Sequence, residues 1–165
     1  VVTFATRAET TTSLTDLHGA VANAIASLEI APAEEVGFTN TAQAFEQAEL
    51  ELNSERHNDN ARRVLVLLPD GLPTAPGDEP VIDEAIAMAN QLAEDAIEVY
   101  SIGLGDNVDA DFIRQIASDQ SNAYFAPNSA DLQSIYAEIT SSLCESGPTR
   151  IDVIAKTETN FAPLR

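Results

Sequence analysis

The amino-acid sequence predicts an α/β fold, in which a doubly wound and mainly parallel sheet is flanked by helices. Short apolar runs that favour strands alternate along the chain with segments whose apolar residues recur at helical spacing. One run, residues 64–68, has five consecutive apolar residues, which is typical of a strand buried on both faces. The chain has 165 residues, 44% of them hydrophobic, so it is long enough for one domain with a sizeable core.

The first part of the chain predicts two strands and a helix. Residues 1–4 favour a strand because β-branched and aromatic side chains dominate, and residues 8–14 suit a short edge strand after a turn. A helix follows, because apolar residues recur at helical spacing between Leu17 and Leu28, and residues 31–35 end it.

A second helix is predicted after the loop at residues 37–41. Its apolar residues form one stripe, and its glutamates lie on another face, where we expect them to be solvated. The stripe is Ala42, Phe45, Ala48 and Leu52, and the glutamates are Glu46, Glu49 and Glu51.

The second half of the chain continues the alternation. Residues 64–68, closed by Pro69, Asp70 and Gly71, are predicted to be the central strand of the sheet, and the proline-rich residues 72–80 form a loop. The later elements are a helix at residues 82–93, a strand at 97–104, a short helix capped by Asp109 that buries Phe112, Ile113 and Ile116, a short strand at 123–125, and a last helix that starts at residues 127–131.

The charge of the chain restricts its partners. It has 27 acidic and 8 basic residues and a formal net charge of -19, and Lys156 is its only lysine. This charge argues against nucleic acids and anionic membranes as partners, because there is no basic stripe to displace counterions from phosphates. The longest apolar run, five residues, is far below the roughly 20 needed to cross a bilayer, so no membrane insertion is expected.

Oxygen-bearing side chains collect where the predicted strands end. Ligands of doubly wound sheets bind beyond the carboxyl ends of the strands. The residues predicted near that edge are Arg7, Thr39, Thr41, Asp70 and Asp106. Hydroxyls and carboxylates dominate this set, and they suit a hard divalent cation such as magnesium.

Four segments in this order resemble the von Willebrand factor A family, the Rossmann-type fold also called the integrin inserted-domain fold. They are residues 1–5, the Gly-Phe-Thr-Asn-Thr loop at 37–41, the strand and Pro-Asp-Gly turn at 64–71, and residues 100–106 ending in Gly-Leu-Gly-Asp. The resemblance covers roughly residues 1–144 and implies a metal-ion-dependent adhesion site built from three loops. Thr39 matches the threonine of the second loop and Asp70 the aspartate of the third.

The chain departs from the family pattern at two points. Pro69 stands where the family often has a threonine, and the Asp-x-Ser-x-Ser motif of the first loop does not occur. The resemblance therefore implies that the chain starts at the family's second strand and lacks the central first strand. We expect that strand to come from a separate or cleaved piece of the same polypeptide, from further residues, or from a partner chain, because two unpaired strand edges would be costly.

The end of the chain leaves several possibilities open. We expect residues 1–146 to form the domain, and residues 147–165 to be a linker or the start of a following segment. The strand-like run at residues 151–155 is a less favoured donor of the missing strand. Cys144 has no second cysteine to pair with in this chain. By resemblance to extracellular members of the family, its partner would lie just before the first strand.

Each candidate residue also has a structural explanation. Asp70 with Gly71 could form an ordinary turn, and Thr41 suits a helix N-cap better than a metal ligand. Helix capping and solvation are likewise favoured over calcium binding for Asp106, Asp109 and Asp111. His18 and His57 are isolated, with no partner at zinc-ligand spacing.

No catalytic constellation is present in the sequence. We therefore expect a non-enzymatic, extracellular or cell-surface module that binds a partner's carboxylate through magnesium, manganese or calcium held by Thr39 and Asp70. The alternative is a structural module of a filament, pilus or layer with a degenerate metal site. A cytosolic accessory subunit of a chelatase or ATPase is a weaker third possibility.

Overall fold

The structure is a computed structural model that describes residues 1–28, 38–74, 81–105 and 108–145. The chain divides into two compact units, Val1–Pro127 and Asn128–Arg165. The first unit holds every strand, four α-helices and one 3-10 helix (Gln120–Asn122) of the described residues, and the second holds one α-helix. No described helix is long and apolar enough to cross a membrane.

The strands form two sheets. Strands β1 (Val2–Phe4) and β2 (Ala8–Thr10) make an antiparallel hairpin. Strands β3 (Arg63–Leu67), β4 (Ile97–Leu104) and β5 (Ala123–Ala126) make a parallel sheet in the order β3-β4-β5. Because the parallel strands alternate with helices along the chain, the predicted α/β fold is confirmed.

Five helices are present where the apolar spacing predicts them. They are α1 (His18–Ala26), α2 (Thr41–Leu52), α3 (Val81–Glu94), α4 (Ala110–Ile116) and α5 (Ser129–Glu145). The predicted cap of α4 is confirmed, because the Asp109 carboxylate accepts a hydrogen bond from the Phe112 N–H (2.9 Å). Asn128 caps α5 in the same way, and its side-chain oxygen accepts from the N–H groups of Ala130 and Asp131.

The core of the first unit lies between β4 and helices α2, α3 and α4. Phe45, Leu92, Val99 and Ile116 are fully buried in one continuous apolar cluster. Helix α4 approaches β4 so closely that a Cβ on Gly103 would lie 2.9 Å from Val108 and 3.1 Å from Ile113. This packing holds β4 in place between β3 and β5. The loops that follow these strands form the carboxyl edge of the sheet.

The predicted position of the strand at residues 64–68 is wrong for the described part of the chain. β3 pairs with β4 on one side only, so β4 is the central strand and β3 lies at an edge. Leu67 is buried, but Val64, Leu65 and Val66 are only half-buried. The apolar run correctly indicates a strand whose two faces need covering, but side-chain pattern carries no information on which edges are paired.

Helix α2 holds the β1–β2 hairpin through polar side chains. Gln43, Gln47 and Glu51 are four residues apart and therefore share one face of the helix. They accept hydrogen bonds from the Ala8 N–H (2.6 Å), the Thr10 hydroxyl (3.4 Å) and the Leu14 N–H (2.6 Å). The hairpin is thus fixed to α2 although it does not pair with the parallel sheet.

The expectation that the glutamates of α2 are solvated holds for Glu46 and is wrong for Glu51. The Arg56 guanidinium donates to both oxygens of Glu51, at 2.8 and 2.9 Å. These bonds are the main cause that lowers the pKa of Glu51; burial acts in the opposite direction, and the Leu14 N–H adds to the lowering. Glu49 is half-buried and accepts a bond from Gln91 (3.2 Å).

Helix α1 forms as predicted, but its apolar face is not buried by the described residues. Leu17 is 66% exposed, Ile25 53% and Leu28 44%, and no residue of α1 is buried. The linker predicted at residues 31–35 lies outside the described residues.

Candidate metal centre

The loops at the carboxyl edge are tied to one another by backbone hydrogen bonds. The Asn40 N–H donates to the Ala5 carbonyl at the end of β1 (2.8 Å), and the Leu104 N–H donates to the Pro69 carbonyl after β3 (2.9 Å). The Gly105 N–H donates to the carbonyl of Ala126, the last residue of β5 (3.0 Å). Hydrogen bonds between neighbouring segments therefore hold the loops at the carboxyl edge of the first unit in place.

Thr39 is tied to the loop that begins with Asp70. The Thr39 N–H donates to the Thr74 hydroxyl oxygen (2.9 Å), and the Thr74 N–H donates to the Thr39 carbonyl (2.9 Å). Both bonds use the main chain of Thr39, so they fix its backbone without engaging its hydroxyl. The two candidate residues thus lie on loops that are joined directly, and Thr74 is a positioning residue that no pattern in the sequence indicates.

Asp70 lies at the surface of this edge. It follows Pro69, which is fully buried, and its own residue is exposed to solvent. Pro69 has no N–H, but its carbonyl is bonded to β4, so the proline fixes the point at which the chain leaves β3. The carboxylate is therefore presented at a defined place while still open to water.

Thr41 is not the cap of α2, contrary to the sequence expectation. Asn40 is the cap, and its side-chain oxygen accepts a bond from the Gln43 N–H (3.0 Å). Asn-x-x-Gln is the spacing of a capping box, so this signal was present in the sequence. Thr41 is the first helical residue, is completely buried, and its hydroxyl has no hydrogen-bond partner among the described residues.

The donors at this edge fit a hard divalent cation. Thr39, Thr41 and Asp70 offer two hydroxyls and one carboxylate, and magnesium and calcium prefer such oxygen ligands. A buried hydroxyl without a partner is rare, because leaving it unpaired costs about 1–3 kcal/mol. Among the described residues no three His, Cys, Asp or Glu side chains cluster to hold a metal, so a cation here would also need water or added ligands.

The remaining candidates have structural roles or lie elsewhere. Asp109 caps α4, and Asp111 is exposed and pairs with Arg114 (3.3 Å). His18 is exposed on α1. Asp106 and the side chain of Cys144 lie outside the described part of the structure.

A family model places the chain among known proteins. The von Willebrand factor type A domain matches residues 1–138. The chain belongs to this family. No curated protein matches the chain in sequence.

Several solved structures are similar to this von Willebrand factor type A domain. Proximal thread matrix protein 1 from the mussel byssus is 24% identical (TM-score 0.69), and the match covers 87% of this chain and 34% of that protein. The manganese-loaded TRAP protein of Plasmodium vivax is 20% identical (TM-score 0.55), covering 70% and 44%. The pilus adhesin SpaC of Lactobacillus rhamnosus GG is 16% identical (TM-score 0.57), covering 76% and 21%. These similarities show the fold, and the chain spans about a third of the mussel protein's length.

Proposed function

We propose that this domain is a non-enzymatic interaction module that binds an acidic group of a protein partner through a divalent cation. Thr39 and Asp70 would hold the cation at the carboxyl edge of the sheet, and the Thr41 hydroxyl would bind the ion or one of its waters. The cation would keep one coordination position open for a carboxylate of the partner. Magnesium, manganese and calcium all suit these oxygen donors.

The buried and unpartnered hydroxyl of Thr41 is the observation that carries this proposal. It lies two residues after Thr39 and begins the helix that the Asn40 cap fixes in place. The Thr39–Thr74 hydrogen bonds join the loop that begins with Asp70 to the segment that precedes this helix, which supports a shared site. A buried hydroxyl without a partner is rare, so its position two residues after Thr39 supports a role in binding an ion or one of its waters.

The similar structures support the same function. One structure of the mussel byssus protein, at 23% identity and a TM-score of 0.71, has a zinc-occupied MIDAS motif, the abbreviation for a metal-ion-dependent adhesion site. The Plasmodium vivax TRAP protein is manganese-loaded. Because SpaC is a pilus adhesin and the mussel protein belongs to the byssus, we propose that this domain also acts outside the cell or at its surface.

Cation binding is tested by calorimetric titration of the full chain with magnesium and manganese. Asp70→Ala and Thr39→Ala should each weaken binding at least about tenfold, because each removes an oxygen ligand. Asp59→Ala is the matched control, since Asp59 is an exposed aspartate in the loop before β3 and outside the proposed site. Equal affinity in Asp70→Ala and Asp59→Ala would refute the assignment.

Carboxylate recognition is tested with a synthetic peptide that carries one glutamate between glycines, and with its glutamine counterpart. Magnesium-dependent binding of the glutamate peptide alone is expected. Binding that persists unchanged in excess EDTA, or that is equal for glutamine, would show that the cation does not bridge to an acid.

The half-exposed apolar residues of β3 favour a second candidate function. In this alternative the domain is a structural module of a filament, pilus or layer, and a strand from another segment or chain holds it in the assembly. Asp70→Ala would then leave assembly intact, whereas removing the donated strand would abolish it. Size-exclusion chromatography of the assembled material distinguishes the two functions.

A further inference from the structure

A small cleft lies at the amino ends of the parallel strands, at the opposite end of the sheet from the proposed cation site. Its volume is about 420 Å³, and its walls come from the end of α2, the loop at residues 53–62, the first residue of β3, and Ala96 directly before β4. Because β3 and β4 are parallel, their first residues share this edge. We call it the basic cleft, since its lining includes Arg62, Arg63 and His57.

The loop that forms one wall of the basic cleft is held by its own hydrogen bonds. The His57 N–H donates to the Ser54 carbonyl (2.9 Å), and the Ala61 N–H donates to the Asn58 carbonyl (2.7 Å). The Ser54 hydroxyl donates to the carbonyl of Glu51 in α2 (2.7 Å), which ties the loop to the helix. The shape of the cleft is therefore set by the backbone of the loop.

Arg63 keeps its positive charge uncompensated in this cleft. Its guanidinium donates to the Asn53 side-chain oxygen and to the Asp95 carbonyl (2.6 Å), and both acceptors are neutral. The chain has 27 acidic residues, yet no carboxylate pairs with Arg63 among the described residues. A guanidinium has five N–H groups, so these bonds leave three of them open.

Arg62 contributes less positive charge than Arg63. Its guanidinium pairs with the Glu98 carboxylate, which also accepts hydrogen bonds from the Tyr100 hydroxyl (3.0 Å) and the Asn122 amide (3.3 Å). This carboxylate therefore offsets the charge of Arg62.

The other open polar groups of the basic cleft are mainly hydrogen-bond donors. The His57 side chain is half-buried, and its imidazole makes no hydrogen bond within the described part of the chain. The Asn53 amide accepts from Arg63 through its oxygen, and its NH₂ group has no partner among the described residues. Asp59 is exposed and is the acidic residue in the described lining. The cleft therefore offers several donors and one carboxylate acceptor.

These open groups define the chemistry of a ligand. A carboxylate supplies acceptor oxygens and a negative charge, which suit a guanidinium and an imidazole N–H. A volume of about 420 Å³ exceeds the space that a bare ion needs and lies within the range of small-molecule pockets. A ligand hydroxyl would serve Asp59 as a donor, so a hydroxyl-bearing anion satisfies both kinds of open group.

We propose that the basic cleft binds a small hydroxyl-bearing carboxylate, with the chemistry of an acidic sugar. The open N–H groups of Arg63 and the His57 imidazole bind the carboxylate of the ligand, and the Asn53 amide donates to a further ligand oxygen. Asp59 accepts a hydrogen bond from a ligand hydroxyl. The site needs no metal and is independent of the proposed cation site.

The test is an NMR titration of the full, ¹⁵N-labelled chain with glucuronate in EDTA, where no cation is present to bind the carboxylate. Glucuronamide has the same ring with a neutral amide in place of the carboxylate. Glucuronate should bind with a dissociation constant of about 1 mM, and glucuronamide at least about tenfold more weakly. The amide signals that shift should belong to residues 53–63 and Ala96, and not to residues 38–41 or 69–74.

Three protein variants complete the test. Arg63→Gln should weaken glucuronate binding at least about tenfold, and His57→Ala at least about threefold. Arg114→Gln is the matched control and should bind normally, because Arg114 is an exposed arginine on α4 that does not line the cleft. Arg63 also joins the ends of α2 and α3, so circular dichroism verifies the fold of its variant. His57→Ala removes no side-chain hydrogen bond of the described structure, so it tests the proposal without altering this connection.

Four outcomes would overturn the proposal. The first is no binding of glucuronate at about 20 mM, and the second is equal binding of glucuronamide, which shows that the charge is not recognised. The third is equal weakening by Arg114→Gln and Arg63→Gln, which indicates a diffuse electrostatic effect. The fourth is a set of shifted signals at residues 38–41 and 69–74, which places the ligand at the other end of the sheet.

Discussion

Replacing Thr41 with valine gives the sharpest test of the metal centre. Valine has nearly the shape of threonine, so the substitution removes the hydroxyl and little else. The residue is completely buried and its hydroxyl has no partner among the described residues. An unpaired buried hydroxyl costs about 1–3 kcal/mol, so metal-free Thr41→Val should be more stable than the parent chain by about that amount. Each kcal/mol corresponds to a rise in Tm of about 2–4 °C for a chain of this length.

Magnesium should reduce the stability advantage of Thr41→Val if the Thr41 hydroxyl binds the cation or one of its waters. At a free concentration about 100 times its dissociation constant, an ion stabilises the parent chain by about 2.7 kcal/mol. A variant that binds about tenfold more weakly gains only about 1.4 kcal/mol under the same conditions. The difference in stability between the two proteins should therefore shrink by about 1.3 kcal/mol when magnesium is added.

Thermal unfolding in EDTA measures the stability advantage of metal-free Thr41→Val, and unfolding in magnesium measures how far the ion reduces it. Ser101→Ala provides the matched control. Ser101 is also fully buried with an unpartnered hydroxyl, but it lies within β4 opposite Leu67. Ser101→Ala should stabilise the chain equally with and without magnesium. The reasoning is refuted if Thr41→Val destabilises the metal-free protein, or if its advantage is the same in both conditions.

Four further predictions concern stability. The folded-state pKa of Glu51 is lowered below its ordinary value of 4.5, so its contribution to the free energy of unfolding is present above that pH and is lost as the pH falls through the folded value. Glu51→Gln and Arg56→Gln should therefore each make Tm decline less steeply in acid. Phe45→Ala should lower the free energy of unfolding by about 3–5 kcal/mol in urea titration, whereas Leu50→Ala, at an exposed site, should change it by less than about 0.5 kcal/mol. Asn40→Ala should cost about 1 kcal/mol in the same assay, since it removes the cap of α2, and a serine there should restore it. Raising salt from about 0.1 M to about 1 M should raise Tm, because a net charge of -19 repels itself and salt screens it; an unchanged Tm would show that the charges are already well separated.

The elements were predictable because their signals are local. The strand at Ile97–Leu104 and the helix cap at Asp109 follow from residues that are neighbours in sequence, and both have the predicted bounds or bond. The order of the loops along the chain also predicted that Thr39 and Asp70 lie near the carboxyl edge of the sheet. The partner of Thr39 was not predictable, because Thr74 is 35 residues away and the pair of bonds depends on how two loops meet.

Faces and edges of a strand differ in how the sequence encodes them. The side chains of residues 64–68 determine the polarity of both faces of β3, so its apolar character is evident from the sequence alone. Its edges consist of backbone groups that every residue carries, so no side chain records whether one neighbour or two are present. The half-burial of Val64, Leu65 and Val66 reveals the difference, since their side chains are suited to a covered position that the described residues do not fully provide. The two apolar faces are therefore evident from the sequence, whereas the single paired edge among the described strands required the structure.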